Sequence, residues 1–226
     1  MGLAASLVVF DLDGTLVDSL PDLAAAVNRS LAHLAPGAPP LPVEVVRGFV
    51  GKGARNLVLQ SLAAAGVEEE VERALPVFLD CYSRCLLDAT RPYPGVEEAL
   101  ERLGDRTLAV LTNKPGEFSR RILDGLALAR HFSRILGGGD LPERKPDPAG
   151  LRRLLAETET PVHRALMVGD SPIDVHTGRA AGVPTAGVTY GYDPQGLIAA
   201  GPDLLVRGLP ELATILGAPP LRGRVC

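Results

Sequence analysis

Asp11 and Asp13 stand where the apolar run Leu7-Val8-Val9-Phe10 ends, and Gly14-Thr15 follows them. An aspartate carboxylate can attack phosphorus and form an acyl phosphate, and a second carboxyl beside it can give and take a proton. Turns and helix caps use the same residue type, so the pair by itself leaves both readings open. Thr112 and Asn113 end a second apolar run, Leu108-Ala109-Val110-Leu111, ahead of Lys114 and Pro115. A hydroxyl and free N–H groups at a helix start cradle phosphate oxygens; simple capping is the plainer alternative. Lys145 falls in Arg144-Lys145-Pro146-Asp147-Pro148, either as a solvated loop lysine or as a fixed ammonium that neutralises a transferring phosphoryl group. A third apolar run, Leu166-Met167-Val168, leads into Gly169-Asp170-Ser171 and, three residues on, Asp174. Two acidic strand ends in one chain point to an all-oxygen Mg²⁺ site. Asp174 would support the metal's waters or hold Lys145 by an ion pair.

The lysines carry a further signal. Lys and Arg total 23, yet lysine occurs only at positions 52, 114 and 145. An Arg-rich composition explains the bias but not where the remaining lysines lie. A compact ammonium and a planar guanidinium are not interchangeable at a tight phosphate site.

The elements that must position these residues follow from periodicity. Continuous apolar runs read as strands covered on both faces, as in a parallel sheet. They are expected at 7–10, 107–111, 133–136, 165–168 and 185–189, with a weaker one at 202–206. Helices are expected at 96–103, 117–126, 147–156, 174–181 and 211–216. Strands alternating with helices give a parallel sheet with right-handed crossovers, and ligands bind beyond the carboxyl ends of such strands. Between Val17 and Arg91 no convincing strand appears. Leu23, Ala26, Val27, Leu31 and Leu34 recur at helical spacing. A Pro-rich break follows, and then three more helices, at 42–49, 54–65 and 68–87. The fold class is therefore α/β, a three-layer Rossmann-like core with a parallel sheet. Residues 1–16 and 92–226 form that core, and 17–91 form an inserted helical domain seated over Asp11 and Asp13 like a lid. The tail from Gly217 to Cys226 is expected to be loosely held.

Composition excludes several classes. The chain has 226 residues, 46% of them hydrophobic, enough for a substantial core. A net charge of -4 gives no electrostatic footprint for nucleic acid. No apolar stretch is long enough to span a bilayer, and no basic segment precedes the first apolar run. A cytoplasmic location is expected, with no membrane partner. Three cysteines, an odd number, argue against a disulfide framework; Cys81 and Cys85, one helical turn apart, read as core packing. His33, His131, His163 and His176 lie away from the acidic motifs.

Asp11-Leu12-Asp13-Gly14-Thr15, Leu111-Thr112-Asn113, Lys145-Pro146 and Gly169-Asp170-Ser171-x-x-Asp174 occur in the order found in the haloacid dehalogenase superfamily, and the chain resembles its phosphatase branch. The dehalogenases of the family lack the second Asp of the first motif. The position of the insert resembles the subclass with an α-helical cap directly after that motif. The resemblance implies Mg²⁺-dependent hydrolysis of a small phosphorylated metabolite through an aspartyl phosphate. It implies Asp11 as nucleophile, Asp13 as acid and base, and Thr112 and Lys145 as phosphoryl ligands. Mg²⁺ would be held by Asp11, Asp170 and the Asp13 carbonyl, with Asn113 and Asp174 supporting. Thr112-Asn113-Lys114-Pro115, Gly138-Gly139-Asp140, Lys145-Pro146-Asp147-Pro148 and Thr189-Tyr190-Gly191-Tyr192 are similar to bacterial phosphoglycolate phosphatases. Relatives acting on sugar phosphates, amino-sugar phosphates or pyrophosphate share part of this pattern. A phosphomutase would use the same residues, and a non-catalytic regulator would be expected to lack one of them. A monomer or homodimer fits such a protein.

In family members the cap loop chooses substrates. Here it reads Gly51-Lys52-Gly53-Ala54-Arg55. Glycines on either side of Lys52 let backbone approach a ligand closely, and Lys52 or Arg55 would meet a substrate carboxylate. Lys52, Gly53 and Arg55, with Thr112, Asn113 and Lys114, are the candidate substrate-binding residues. A plain turn with solvated cations is the competing reading of the loop.

Overall fold

The computed structural model describes residues 5–218; the expectations for the tail from position 219, Cys226 included, lie outside the described residues. The chain opens with β1 (Leu7–Phe10), buried at every position, then β2 (Val17–Asp18). Four helices follow: α1 (Leu20–Leu34), α2 (Val43–Arg47), α3 (Ala54–Ala65) and α4 (Val71–Ser83). Strand β3 (Arg91–Pro92) leads to α5 (Val96–Arg102), β4 (Thr107–Pro115), α6 (Gly116–Gly125) and β5 (Arg134–Gly138). The remainder alternates: α7 (Ala149–Glu157), β6 (Ala165–Gly169), α8 (Pro172–Ala181), β7 (Thr185–Val188), α9 (Pro194–Ala200), β8 (Leu204–Val206) and α10 (Leu209–Ile215).

Six strands form one parallel sheet in the order β5-β4-β1-β6-β7-β8. β1 lies between β4 and β6, with Phe10 level with Val110 on one side and Val168 on the other. That register brings three strand ends together just beyond Phe10. Side chains alternate across the sheet. Val8 and Phe10 join the larger core with residues of α5, α6 and α10, while Leu7 and Val9 join a second core with Leu151 and Leu154 of α7. Burial on both faces is what makes β1 a continuous apolar run rather than an alternating one. Among the described residues no helix is long and apolar enough to cross a membrane.

The insert departs from the sequence expectation at its ends. β2 and β3 pair antiparallel, Val17 with Pro92 and Asp18 with Arg91. Two-residue strands carry no period, so no pattern marked them. The contact is reinforced by Asp22, 2% exposed: its carboxylate accepts from the N–H of Ala89 at 2.9 Å and from the N–H and hydroxyl of Thr90 at 2.7 and 2.6 Å. The start of α1 is thus tied to the exit of the insert. Helix α4 is shorter than the 68–87 expected from sequence, and it carries Pro76 in its interior. Helix α9 had no sequence signal; it has seven residues and is capped by Asp193, whose Oδ1 accepts the Gly196 N–H at 2.9 Å.

Candidate active site

The site is assembled at the carboxyl edge of the three central strands. Asp11 follows β1 directly, and its Oδ1 accepts the Leu12 N–H at 2.7 Å and faces Lys145 Nζ at 2.9 Å. Lys145 reaches in from the loop between β5 and α7 and also donates to Asp174 Oδ1 at 2.6 Å. Asp174 sits in the first turn of α8, where it forms a capping box with Ser171. Its Oδ2 accepts the Ser171 hydroxyl at 2.8 Å, so one oxygen caps the helix while the other anchors the lysine. Asp170, just past β6, accepts the Tyr192 N–H at 2.7 Å and the Thr15 hydroxyl at 3.3 Å. Gly14 takes φ +79°, and a Cβ there would fall 2.2 Å from Asp170 Oδ2; only glycine lets the turn after β1 pass this close.

Carboxylate oxygens of Asp11, Asp170 and Asp174 lie within 4.8 Å of one another, and all three residues are buried. Burial is the main cause that pushes the Asp11 carboxyl up to about 7, against the pull of the Lys145 ammonium. Asp170 is raised well above its ordinary range by burial first and then by the charges of Asp174 and Asp11. Lys145 loses hydration on burial, but Asp11 and Asp174 outweigh that and hold it above its usual value. Three carboxylates close together, with Lys145 bridging two of them, form an electrostatically strained cluster. Its donors are all hard oxygens, which fits a divalent cation of the Mg²⁺ type.

Asp13 is turned to the other side of Asp11. It accepts from the Ser19 hydroxyl and from Lys114 Nζ, which lies 2.9 and 3.1 Å from its two oxygens. Lys114 also lies over the Tyr82 ring, 4.6 Å from its centroid. A small cavity opens here, bounded by Asp11, Asp13, Thr112, Asn113 and Lys114 below and by Leu57, Phe78 and Tyr82 of the insert above. A second, more polar cleft joins Asp11, Asp13 and Asp170 to Arg47 and Lys52 of the insert.

Most of the residues singled out from sequence converge here. Asp11, Asp13, Thr112, Asn113, Lys114 and Gly53 border the cavity, and Lys52 and Asp170 border the cleft. Asn113 works as a clamp: its Nδ2 donates to the carbonyls of Gly51 and Lys145, both at 2.9 Å, and its Oδ1 accepts the Lys145 N–H at 2.9 Å. Gly53 takes φ +86°, and a Cβ there would lie 3.3 Å from the Asn113 carbonyl oxygen. Arg55 is the exception among the substrate-binding candidates. Its guanidinium turns away to the exposed side of the insert and bonds Glu72 Oε1 at 2.6 Å, because α3 points that face at α4 and solvent. Asp174 makes the ion pair with Lys145 that was one of its two expected roles, and it also stands in the acidic cluster.

Other participants were not among the candidate site residues. Ser19 reads as a helix cap but donates to Asp13. The Tyr192 hydroxyl accepts the N–H groups of Ser19 and Leu20 at 2.9 and 3.1 Å, linking the last crossover to the start of the insert. Tyr82 and Phe78, one helical turn apart on α4, look like ordinary apolar-face residues; only their position over Lys114 and Asp13 distinguishes them.

A Rossmann-like sheet with this acidic cluster and a helical insert after β1 defines a class, and comparison with known proteins agrees. The model of the haloacid dehalogenase-like hydrolases matches residues 8–188, and the chain belongs to that family. It is a phosphatase within it. The phosphoglycolate phosphatase 1 of Pseudomonas aeruginosa is 45% identical over 216 residues, 91% of this chain and 78% of that protein. The phosphoglycolate phosphatase of Pseudomonas putida is 42% identical over 219 residues, 93% and 79% of the two chains. Among solved structures, a predicted phosphoglycolate phosphatase from Haemophilus somnus superposes with a TM-score of 0.88 at 33% identity, covering 94% of this chain and 98% of that one.

Proposed function

We propose that the chain hydrolyses a small phosphomonoester by way of an aspartyl phosphate on Asp11, and that the ester is 2-phosphoglycolate. The observation that carries the mechanism is the placement of Asp11. One of its oxygens is fixed by the Leu12 N–H and Lys145, at the junction of the acidic cluster and the cavity. The other oxygen attacks phosphorus in line as the ester P–O bond breaks, and Asp13 gives its proton to the departing alkoxide. Asp13 then takes a proton from water, whose oxygen attacks the phosphoryl group. The P–O bond to Asp11 breaks, and inorganic phosphate and glycolate leave. Phosphoryl transfer is limited mainly by positioning and charge. Lys145 therefore binds phosphoryl oxygens from one side, and Thr112 and the Asn113 N–H bind them from another.

Asp11, Asp170 and the Asp13 carbonyl would hold Mg²⁺, with Asp174 in support. The cation would supply a positive charge that offsets both the crowded carboxylates and the phosphoryl oxygens. Residues 17–91 act as a cap domain over a core of 1–16 and 92–226. With the cap in place, the apolar wall of Leu57 and Phe78 excludes bulk water from the cavity. Gly53 and Lys114 contact the rest of the substrate, and Lys52, at the open cleft, attracts the dianion. The preference for phosphoglycolate is supported by the names of the relatives above and by cations facing both the cavity and the cleft. A panel of phosphomonoesters, read by release of inorganic phosphate, tests it. The highest kcat/KM is expected for 2-phosphoglycolate; a higher value for a sugar phosphate overturns the assignment, and transfer without phosphate release overturns the hydrolysis.

A further inference from the structure

Tyr82 carries a buried hydroxyl that lies near the Lys114 ammonium but has no partner at hydrogen-bond distance, so its proton goes unused in the resting molecule. The residue is 1% exposed, and among the described residues only its hydroxyl and His131 Nε2 are buried polar side-chain atoms without a hydrogen-bond partner. Such a group has lost its water and gained nothing in return. Phenylalanine would fill the position without that cost, and the neighbours are phenylalanines: Phe78 stacks on the Tyr82 ring at 5.7 Å and Phe118 meets it edge-on at 5.5 Å.

The hydroxyl belongs to a residue that walls the cavity beside Asp11 and Asp13. Across from it is Lys114, with a side chain 3% exposed. An ammonium has three donors; its contacts at strict hydrogen-bond distance are the two oxygens of a single carboxylate, Asp13, with the Tyr82 hydroxyl a looser neighbour. The surrounding wall is apolar, with Val50, Leu57, Phe78 and Phe118. A largely apolar pocket that presents one buried cation and one unpaired donor is suited to a small anion.

We propose that Lys114 and Tyr82 together receive the second anionic group of the substrate, a carboxylate one carbon removed from the phosphate ester. The inference rests on the phosphatase reading above and assigns the recognition element within it. The carboxylate accepts from the ammonium and from the phenol, and charge-assisted bonds of this kind are stronger in a buried setting than at a wet surface. Lys52, exposed at the open cleft, is the weaker competitor for the same group. Lys114 belongs to β4 of the sheet and Tyr82 to α4 of the insert. A carboxylate held between them therefore bridges the two, so that recognition and enclosure of the substrate occur together. An ester without the second charge leaves the hydroxyl unpaired, and such mismatches are rejected strongly.

The test compares 2-phosphoglycolate with ethyl phosphate, which has the same chain length and no carboxylate, in wild type, Tyr82→Phe and Lys114→Met. Wild type is expected to favour phosphoglycolate. Tyr82→Phe should raise KM for phosphoglycolate about 10-fold or more relative to any change for ethyl phosphate. It should leave the melting temperature equal or higher, since it removes an unpaired buried hydroxyl. Weaker competitive inhibition by glycolate in Tyr82→Phe should accompany this. Lys114→Met, which keeps a long apolar stem, should erode the same preference and decides the matter if the tyrosine variant does not fold. A wild type indifferent to the carboxylate overturns both the phosphoglycolate reading and this inference. A preference in wild type that Tyr82→Phe leaves intact, or equal losses on both esters, overturns this inference alone.

Discussion

Lys145 Nζ lies 2.6 Å from Asp174 Oδ1, and both side chains are 2% exposed. The lysine comes from a loop and the aspartate from the cap of α8, so the secondary structure of one crossover fixes the cation used by another. Breaking a buried pair by removing one partner leaves an uncompensated charge, which costs about 3–5 kcal/mol. Asp174→Ala is therefore expected to lower stability by an amount of that order, shared between the lost cap and the lysine left with Asp11 alone. Calorimetric melting checks this. A change within experimental scatter would show that Asp11 suffices to hold Lys145. Lys145→Ala should lower kcat by a factor of about 10² to 10³, the usual loss when a fixed charge at a transition state is removed.

Asp11→Asn is expected to remove turnover, with kcat down by a factor on the order of 10⁴ or more, while the far-UV circular dichroism stays that of wild type. Acid-quenched wild-type enzyme should contain a hydroxylamine-sensitive acyl phosphate, and the variant should not. A variant with near-normal phosphate release would remove Asp11 from the role of nucleophile.

Stability should depend on pH and metal together. Burial pushes the Asp11 carboxyl from 3.8 to about 7 and also raises Asp170. In that interval the folded protein binds more protons than the unfolded chain. The contribution of these groups is therefore full below about pH 4 and is lost as pH rises through about 7. A bound divalent cation supplies the compensating charge instead, and protons compete with it. The rise in melting temperature on replacing EDTA with MgCl₂ should be larger at pH 8.0 than at pH 5.5, and Asp170→Asn should abolish most of it. Equal increments at both pH values, or none, would remove the cluster as a metal site.

The two cations of the loop and the following helix should separate in a simple kinetic comparison. Lys52 borders the open cleft and is exposed, where it attracts dianions without reading the rest of the molecule. Lys52→Ala is expected to raise KM for phosphoglycolate and ethyl phosphate in parallel, more at low than at high ionic strength. Arg55→Ala should leave both within about twofold, because its guanidinium is bound to Glu72 away from the site. A large KM effect from Arg55→Ala would mean that the insert rearranges on binding.

The sequence by itself determined the sheet, its parallel sense and the motifs at its edge. Burial on both faces forces unbroken apolar runs, and a break from such a run into Asp-x-Asp-Gly, Thr-Asn or Gly-Asp is local and visible. The lysines at 114 and 145 stood out for the same reason, being rare among arginines. What only the tertiary structure decided were relationships across long separations. Ser19 and Lys114 converge on Asp13, Asp22 ties Thr90 across the base of the insert, and Tyr82 comes to lie over Lys114. Arg55 shows the same limit in reverse: one residue away on a helix changes the facing direction by about 100°, and it points to Glu72 rather than to Asp11. A periodic pattern records which face of a helix is apolar. It does not record what that face meets, and at this site the partner across the gap separates a core tyrosine from one positioned to bind substrate.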